Sequence, residues 1–287
     1  YYFDGELLFD VLIKKIEKKR EIRTKDVICF WSDLLGFGNV FFEQNWNLNP
    51  EHQISIFNRL KDAHSEFLRL TSPHGEKSLI LNDGLVKIGL VDELNHPDLI
   101  GLFLRGCIWT HMKINEIELK NNLPGCRSII SFGQSIDYLE EEIKYDDYVA
   151  NYTKKDPNNL SSIASKNGNP TLVYNPSPFQ MNTAFSKSYI LDSLGSKYGI
   201  ESNKIYIEQS VIDFAKKIAE KFDFHYEEKY ENDLIQILVL KEKFFPSFGF
   251  EFDKEIDIEF KEWKTKVYRL KSFYPHDEDM REFKIEI

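Results

Sequence analysis

The sequence contains few cysteines and no long apolar run. Its three cysteines, Cys29, Cys107 and Cys126, lack any Cys-x-x-Cys spacing and cannot all pair. We therefore expect a reducing compartment and no disulfide framework. No stretch reaches the ~20 apolar residues that cross a membrane as a helix. Residues 1–26 do not match a signal peptide, because Asp10 interrupts the apolar stretch and the lysines follow it. These absences favour a cytoplasmic protein with no membrane partner.

Positive charge is also in short supply. Lysine and arginine total 37 against 47 aspartate and glutamate residues, a formal net charge of −10. Non-specific nucleic-acid binding depends on basic side chains facing phosphate, so this composition argues against a nucleic-acid partner. An anionic substrate would need a local basic pocket or a metal ion. His64, His74, His96 and His111 have no metal-ligand spacing, and we interpret them as surface or packing residues.

What is present fits a folded domain with a core rich in aromatic rings. The chain has 287 residues, 42% of them hydrophobic, with 23 Phe and 14 Tyr. That length accommodates one large domain or two small ones. Apolar spacing predicts a helix over residues 5–20 and a buried strand over 27–31. Asn49 followed by Pro50 predicts the start of a second helix. Two β-rich runs around Asn-Asp-Gly predict a hairpin over residues 78–91.

The second half of the chain also contains both helical and strand-like segments. A long helix is expected over residues 96–122 and a strand over 126–133, while the polar segment 140–178 is expected to be an extended loop or insertion. Helices are then predicted over 179–199 and 211–222, and strands over 203–209, 233–240, 251–260, 264–273 and 281–287. This order predicts an α+β fold, a mixed sheet with helices packed on it.

Two aspartates occupy positions where a fold alone would not require an ionisable group. Asp33 follows the predicted strand in "VICFWSDLLGFG", and Asp83 lies at the tip of the predicted hairpin. If that strand and the hairpin share a sheet, both carboxylates project from one edge. Carboxylates brought together repel one another unless a cation compensates them, and Mg²⁺ commonly binds one or two carboxylates plus phosphates. Taken singly, each aspartate is also explained as a turn residue or a helix cap.

The surroundings of the two aspartates resemble the metal-binding motifs of class III nucleotidyl cyclases. "WSDLLGFG" is similar to that family's strand and turn, aromatic-x-Asp-Ile-x-Gly-Phe, with Trp31, Asp33, Leu34, Gly36 and Phe37 in the matching positions. "EKSLILNDG" resembles its second-metal hairpin, which closes in Gly-Asp. Asp83 takes the Asp position there, and Asn82 replaces the Gly.

Two later segments extend the resemblance. "CRSIISFG" resembles a strand that carries Arg-Gly and a later Gly in the bacterial pyrimidine cyclases of Pycsar antiphage systems; Arg127 matches the Arg, and Ser128 departs from the Gly. "FQMNTAFSKSY" resembles a helix that carries Asn-x-x-x-Arg. Asn182 matches its Asn, whereas Ser186 stands at the Arg position with Lys187 next to it.

The resemblance implies a fold, a reaction and a set of site residues. The fold would be a class III cyclase-like, mainly antiparallel sheet with a ferredoxin-like core and terminal extensions. Its parts would be an N-terminal helix (1–24), a catalytic domain (25–210) with insertion 140–178, and a C-terminal completion of that domain (211–287). The enzyme would be a homodimer with its sites at the interface, and each site would bind a nucleoside triphosphate with two Mg²⁺ or Mn²⁺ ions. The implied metal ligands are Asp33, Asp83 and the carbonyl of Leu34; the implied substrate-binding residues are Leu34, Leu35, Gly36, Phe37, Gly38 and Leu79; the implied catalytic residues are Asn182, Ser186, Lys187 and Arg127.

Leu79 gives the one indication of base choice. It stands four residues before Asp83, where adenylate cyclases of the family carry an adenine-reading lysine. The resemblance thus favours UTP or CTP, a cyclic UMP or cyclic CMP product, and a downstream receptor in antiphage defence. Two other interpretations stay open. Ser186 is consistent with a catalytically degenerate module that binds a nucleotide or a partner, and an unrelated α+β protein could carry both aspartates as turn residues.

Overall fold

The structure is a computed structural model of the chain. It describes residues 23–70, 76–137, 161–166, 169–174, 177–242, 245–275 and 284–287. The helix predicted over residues 5–20 lies outside the described residues, as does much of segment 140–178. No described helix has the length and apolar character needed to cross a membrane.

The described residues form six α-helices and twelve strands. The helices are α1 (Asn39–Glu43), α2 (Pro50–Arg69), α3 (Val91–Leu94), α4 (Pro97–Lys120), α5 (Thr183–Leu194) and α6 (Gln209–Lys221). The strands are β1 (Arg23–Leu34), β2 (Glu76–Leu81), β3 (Gly84–Leu90), β4 (Cys126–Asp137), β5 (Ser161–Lys166), β6 (Asn169–Tyr174), β7 (Ile205–Glu208), β8 (His225–Glu231), β9 (Leu234–Glu242), β10 (Phe245–Phe260), β11 (Trp263–Pro275) and β12 (Ile285–Glu286). Short 3-10 turns cover Ser177–Phe179 and Gly195–Tyr198.

Ten of these strands build one mixed sheet. Its order is β2-β3-β1-β4-β7-β11-β10-β9-β8, and β12 pairs with β11. The β4–β7 pair is parallel. The pairs β1–β3, β2–β3, β7–β11, β8–β9, β9–β10, β10–β11 and β11–β12 are antiparallel. The prediction of an α+β fold with a mixed, mainly antiparallel sheet and helices packed on it is therefore confirmed.

Contacts divide the chain into two compact units. One comprises residues 26–135 and 182–287 and contains nearly all of the large sheet; the other comprises residues 1–25 and 136–181. Within the second unit, β5 and β6 pair as an antiparallel hairpin. The prediction of an extended loop is wrong for these residues, and the alternative of an insertion stays a prediction. A polar composition favours loops but does not exclude the pairing of two strands.

In the larger unit, helices cover both faces of the sheet. Alternation along β4 shows this: Ile130 packs in the core under α4 and α6, whereas its neighbour Ile129 packs with Leu191 of α5 on the opposite face. The core under α4 and α6 is rich in phenylalanine, as composition predicted, and includes Phe103, Phe214, Phe248, Phe250, Phe252 and Phe273. Asp33 and the residues around it lie where β1 ends and β3 begins, near α5.

Candidate metal centre

The end of β1 lies directly against the tip of the β2–β3 hairpin. Strand register places Asp33 opposite Gly84, and the N–H of Leu34 donates to the carbonyl of Asp83 at 3.3 Å. The two aspartates, separated by 50 positions in the sequence, are therefore neighbours in the fold. The strand and the hairpin share one sheet, as their patterns predicted, while the shared direction of the two carboxylates stays a prediction.

The hairpin tip is held by its own turn residues and by α2. Asn82 adopts a φ of +59°, which asparagine tolerates better than most residues. Its side-chain amide donates to Oδ1 of Asp83 at 3.0 Å, and its carbonyl lies 2.9 Å from Nε2 of His64. These contacts fix the position of the Asp83 backbone and one oxygen of its carboxylate. His64 thus contacts the site from α2, in agreement with its interpretation as a packing residue.

Trp31 packs between the hairpin and α5. Its ring centroid lies 5.7 Å from that of Phe185 and 5.4 Å from that of Tyr189. A Cβ at Gly84 would lie only 2.5 Å from Cη2 of Trp31, so the indole requires glycine at this position. The indole N–H is buried and has no acceptor among the described residues. The aromatic position of the motif therefore serves to pack α5 against the strand that carries Asp33.

Asp33 is electrostatically strained. Burial raises the pKa of its carboxyl to about 7, and the nearby charges of Asp192 and Asp83 add to the rise, while Arg127 and Arg59 oppose it. The Asp33 carboxylate accepts no hydrogen bond from any described residue. A partly buried carboxylate that lacks donors and faces other carboxylates is unfavourable when it is ionised. A cation bound at this point would remove that penalty.

The donor set of this site fits a hard divalent cation. Within the described residues, no three His, Cys, Asp or Glu side chains form a metal cluster. A site of two carboxylates, completed by backbone oxygen, water and phosphate, is nevertheless a common way for Mg²⁺ to bind. The carbonyl of Leu34 accepts the N–H of Phe37 at a long 3.3 Å and retains a second lone pair. The assignment of Asp33, Asp83 and Leu34 as metal ligands fits this geometry and stays a prediction.

The turn after β1 presents two backbone donors. Gly36 has a φ of +65°, a conformation that favours glycine. The N–H of Leu35 donates to the carbonyl of Gly125, whereas the N–H groups of Gly36 and Gly38 meet no acceptor in the described part of the chain. Phe37 directs its ring into the core and is 3% exposed. The turn therefore offers its backbone, and not the Phe37 side chain, to a ligand.

A buried ion pair supports this turn from below. Arg59 of α2 donates to both carboxylate oxygens of Glu118 on α4, the closest contact being 2.6 Å. The same guanidinium donates to the carbonyl of Leu35 at 2.8 Å. Both side chains are almost fully buried. Arg59 thus fixes the turn to the two helices beneath it, a role that its position inside a predicted helix did not indicate.

Arg127 points toward the same region but is already paired. Its Nε donates to Oδ1 of Asp192 at 2.6 Å, and its Nη2 donates to the carbonyl of Asp192, also at 2.6 Å. Asp192 was not among the predicted site residues. The spacing of the sequence could have identified it. Phe185, Tyr189 and Asp192 lie at i, i+4 and i+7 on one face of α5. Phe185 and Tyr189 on this face contact Trp31 of β1.

The remaining predicted catalytic residues lie on α5. Asn182 is the N-cap of that helix, where its buried side chain accepts the N–H of Phe185 at 2.9 Å. Ser186 is exposed, and its hydroxyl donates to the carbonyl of Asn182 at 3.0 Å. Lys187 donates to the carbonyl of Phe132 at 3.1 Å and lies 3.4 Å from the carboxylate of Glu208. It lines an open cleft of about 520 Å³ with Trp263, Lys264 and Lys266. Among the described residues, neither Ser186 nor Lys187 forms a hydrogen bond with Asp33.

Leu79 belongs to the row of residues next to Asp33. Register aligns Leu79 of β2 with Val86 of β3 and Trp31 of β1, so the three side chains share one face of the sheet. Leu79 is buried at 5% exposure. The row adjoining Asp33 on this face is therefore apolar and offers no charged hydrogen-bond donor from β2.

Comparisons with known proteins find similarity in structure alone. No family model matches the chain, and no curated protein matches it. The chain is similar to the adenylyl cyclase CyaB from P. aeruginosa, with 11% identity and a TM-score of 0.43 over 91% of this chain and the whole of that one. It is similar to a bacterial light-regulated adenylyl cyclase, with 12% identity and a TM-score of 0.43 over 92% of this chain and 63% of that one. A third similar structure is the dimeric guanylyl cyclase domain of the RhoGC fusion protein from the aquatic fungus Blastocladiella emersonii, at 10% identity and a TM-score of 0.36, over 88% of this chain and 97% of that one. At these scores the likenesses establish neither a family nor an activity for the chain.

Proposed function

We propose that the chain is a metal-dependent nucleotide cyclase that converts a pyrimidine ribonucleoside triphosphate into its 3′,5′-cyclic monophosphate and pyrophosphate. One observation carries the proposal: Asp33 and Asp83 meet at the end of β1, each within a segment that resembles a cyclase metal motif. The raised pKa of Asp33 supports it, because functional sites concentrate carboxylates in such unfavourable surroundings.

In the reaction, the ribose 3′-hydroxyl would lose its proton to solvent and its oxygen would bond to the α-phosphorus, while the bond between that phosphorus and the pyrophosphate oxygen breaks and pyrophosphate leaves. Divalent cations supply Lewis acidity and charge neutralisation when they are bound. Asp33, Asp83 and the Leu34 carbonyl would hold two Mg²⁺ or Mn²⁺ ions. The N–H groups of Gly36 and Gly38 would donate to the β- and γ-phosphates, for which backbone donors in a glycine turn are well suited.

Preference for UTP or CTP rests on Leu79. A lysine at this position could hydrogen-bond to adenine, whereas leucine presents only apolar surface beside Val86 and Trp31. A pyrimidine ring is smaller and would leave recognition to backbone groups or to a partner chain. The row of apolar side chains supports a pyrimidine and does not distinguish uracil from cytosine.

The biological setting that we propose is a homodimer that makes a cyclic nucleotide signal in antiphage defence, read by a separate receptor. The support here is the sequence resemblance of residues 25–210, within which the segment around Arg127 resembles the pyrimidine cyclases of antiphage systems. In such a dimer, Asn182 and Lys187 would act on nucleotide held by the opposite chain. Lys187 would then have to leave Glu208, since the ion pair occupies it in the single chain.

One feature favours a second candidate, a nucleotide-binding module without turnover. Ser186 replaces the arginine of the motif and bonds back to its own helix, and Arg127 is engaged by Asp192. A fixed cation aimed at developing charge commonly contributes several kcal/mol to a transition state, so its absence would slow catalysis strongly.

Direct assay of the reaction separates these candidates. The chain is incubated with each of the four ribonucleoside triphosphates and Mn²⁺, and cyclic products are measured by mass spectrometry. The proposal expects cyclic UMP or cyclic CMP from the wild type and loss of product in Asp33→Asn and Asp83→Asn. Asp26→Asn, an exposed aspartate on the same strand, is the control that should keep activity. Bound nucleotide without any product would support the second candidate, and neither binding nor product would exclude both.

A further inference from the structure

Arg127 and Asp192 form a nearly buried ion pair beside the candidate metal site. Their side chains are 12% and 9% exposed. The pair joins β4 to the last turn of α5, and the guanidinium also donates to a carbonyl at that helix end, where a cation is favourable. Gly195 follows the helix, and a Cβ there would lie 3.4 Å from Nη1 of Arg127. The arginine is thus held in a fitted position and cannot be regarded as a freely moving cation.

Both members of the pair lie near Asp33: Ser128, the neighbour of Arg127 on β4, donates its hydroxyl to that of Ser32, the neighbour of Asp33 on β1, at 2.9 Å. Among the charges that affect its pKa, Asp192 gives the largest increase and Arg127 the largest decrease. With Asp83, the local set contains three carboxylates, the guanidinium of Arg127 and the more weakly acting guanidinium of Arg59, whose charge Glu118 compensates, a net charge of about −2 when all are ionised. Removing one member would change that local charge while Asp33 and Asp83 remain in place.

We propose that Asp192 is a positioning residue that neutralises Arg127 and thereby sets the affinity of the Asp33–Asp83 pair for divalent cations. The inference rests on the proposed function, because it assumes that this pair binds metal. Arg127 uncompensated beside Asp33 would repel an incoming cation. Paired with Asp192, Arg127 anchors α5 to β4 without repelling the cation. A unit charge several ångströms from a divalent cation changes its binding constant by about tenfold or more at the dielectric near a protein surface.

A purely structural role for the pair makes a different prediction. If Arg127 and Asp192 only anchor α5 to β4, loss of either side chain loosens the helix, and metal binding falls in both single variants and in the double variant. If charge governs affinity, the two single variants shift it in opposite directions. An increase in affinity cannot result from misfolding, so Arg127→Gln is the decisive variant.

The test uses Mn²⁺ alone as the probe. Free Mn²⁺ is followed by electron paramagnetic resonance during titration of the full chain, without nucleotide, for the wild type, Asp192→Asn, Arg127→Gln and the double variant. We expect affinity about tenfold weaker in Asp192→Asn, about tenfold tighter in Arg127→Gln and near the wild-type value in the double variant. Asp253→Asn breaks a more exposed Asp–Arg pair, with Arg269, between β10 and β11 and should leave Mn²⁺ affinity unchanged.

The outcomes separate failure of the inference from failure of the proposed function. If the wild type binds Mn²⁺ and forms cyclic product but all four chains bind equally, or both single variants bind more weakly, the role of Asp192 is refuted and the cyclase assignment stands. If the wild type neither binds Mn²⁺ nor forms product, both are overturned. Circular dichroism and thermal melting of each variant identify any chain that has lost its fold.

Discussion

Leu34 donates its backbone N–H to the carbonyl of Asp83 at 3.3 Å. This single ladder contact brings Asp83 beside the residue that follows Asp33, although 50 positions of sequence intervene. The hairpin turn cannot move along β1 without changing that pairing, since a one-residue slip would reverse every side chain on β3. The register of the sheet thus fixes the proximity of the two aspartates.

The stability of the metal-free chain should decrease as pH rises from about 4 to about 7 because of Asp33. The folded state raises the pKa of this group from 3.8 to about 7, so between those values the folded chain binds more protons than the unfolded chain. Asp33→Asn removes this dependence. We expect the variant to be more stable than the wild type above pH 7, by at most about 4 kcal/mol, with screening by solvent reducing that figure.

The measurement is urea unfolding of both chains in EDTA at pH 5 and pH 8. Buried His111, whose pKa is lowered to about 3 by burial, produces the opposite slope between about pH 3 and pH 6.5 in both chains. The difference between wild type and variant cancels that contribution. A difference that does not grow between the two pH values would contradict the proposed strain at Asp33.

Gly84→Ala should destabilise the chain by displacing Trp31. The added methyl group would lie 2.5 Å from the indole, and overpacking of this kind costs about 1–3 kcal/mol. Trp31→Phe in the same chain creates the missing space and also removes a buried N–H that lacks an acceptor. We therefore expect the double variant to recover most of the lost stability in urea unfolding. If Gly84→Ala lowered stability equally in the wild-type chain and in the Trp31→Phe variant, contact with the indole would not be the cause of the loss.

Local patterns predicted the elements that position the aspartates. Residues 27–31 form part of β1, and the Asn-Asp-Gly run forms the turn between β2 and β3, because both signals depend on neighbouring residues alone. Strand β8 was not predicted, since three glutamates interrupt its apolar pattern. It forms because Asn232 and Asp233, with φ values of 49° and 64°, turn the chain back onto β9.

Pairings between distant elements could not be predicted in the same way. Arg127 and Asp192 are 65 positions apart, and their contact exists only once α5 lies across β4. Arg59 likewise depends on the packing of α2 against α4. Asn182 is the N-cap of α5, a role that asparagine often takes, whereas the helix predicted from residue 179 placed Asn182 inside it. Tertiary packing thus decides which polar residues surround the two aspartates, while local patterns place the aspartates themselves.

Arg59→Met should separate the stability of the fold from the geometry of the turn. Loss of the guanidinium leaves Glu118 buried without its partner, which costs about 3–5 kcal/mol. Arg59→Met combined with Glu118→Leu replaces the pair by apolar groups and should restore most of that stability. Neither chain retains the donor to the Leu35 carbonyl, so we expect cyclase activity to stay reduced in both.

Urea unfolding and kcat/KM for the preferred triphosphate measure these two effects on the same preparations. Full recovery of kcat/KM in the double variant would show that the contact between Arg59 and Leu35 does not position the turn.

Leu79→Lys should shift substrate preference toward ATP. The position lies in one row with Val86 and Trp31 beside Asp33, so a lysine there would direct its ammonium group along the face that the base is proposed to occupy. Burial of the new charge costs stability unless the adenine ring accepts its hydrogen bond, and this difference favours ATP over a pyrimidine nucleotide. Leu79→Met is the matched control, because it keeps an apolar chain of similar volume. The ratio of cyclic AMP to cyclic pyrimidine nucleotide, from equimolar triphosphates, should rise at least about tenfold in Leu79→Lys and stay unchanged in Leu79→Met, a difference of about 1.4 kcal/mol. If both variants kept the wild-type ratio, Leu79 would lie outside the base-binding surface and the preference for a pyrimidine would lose its structural support.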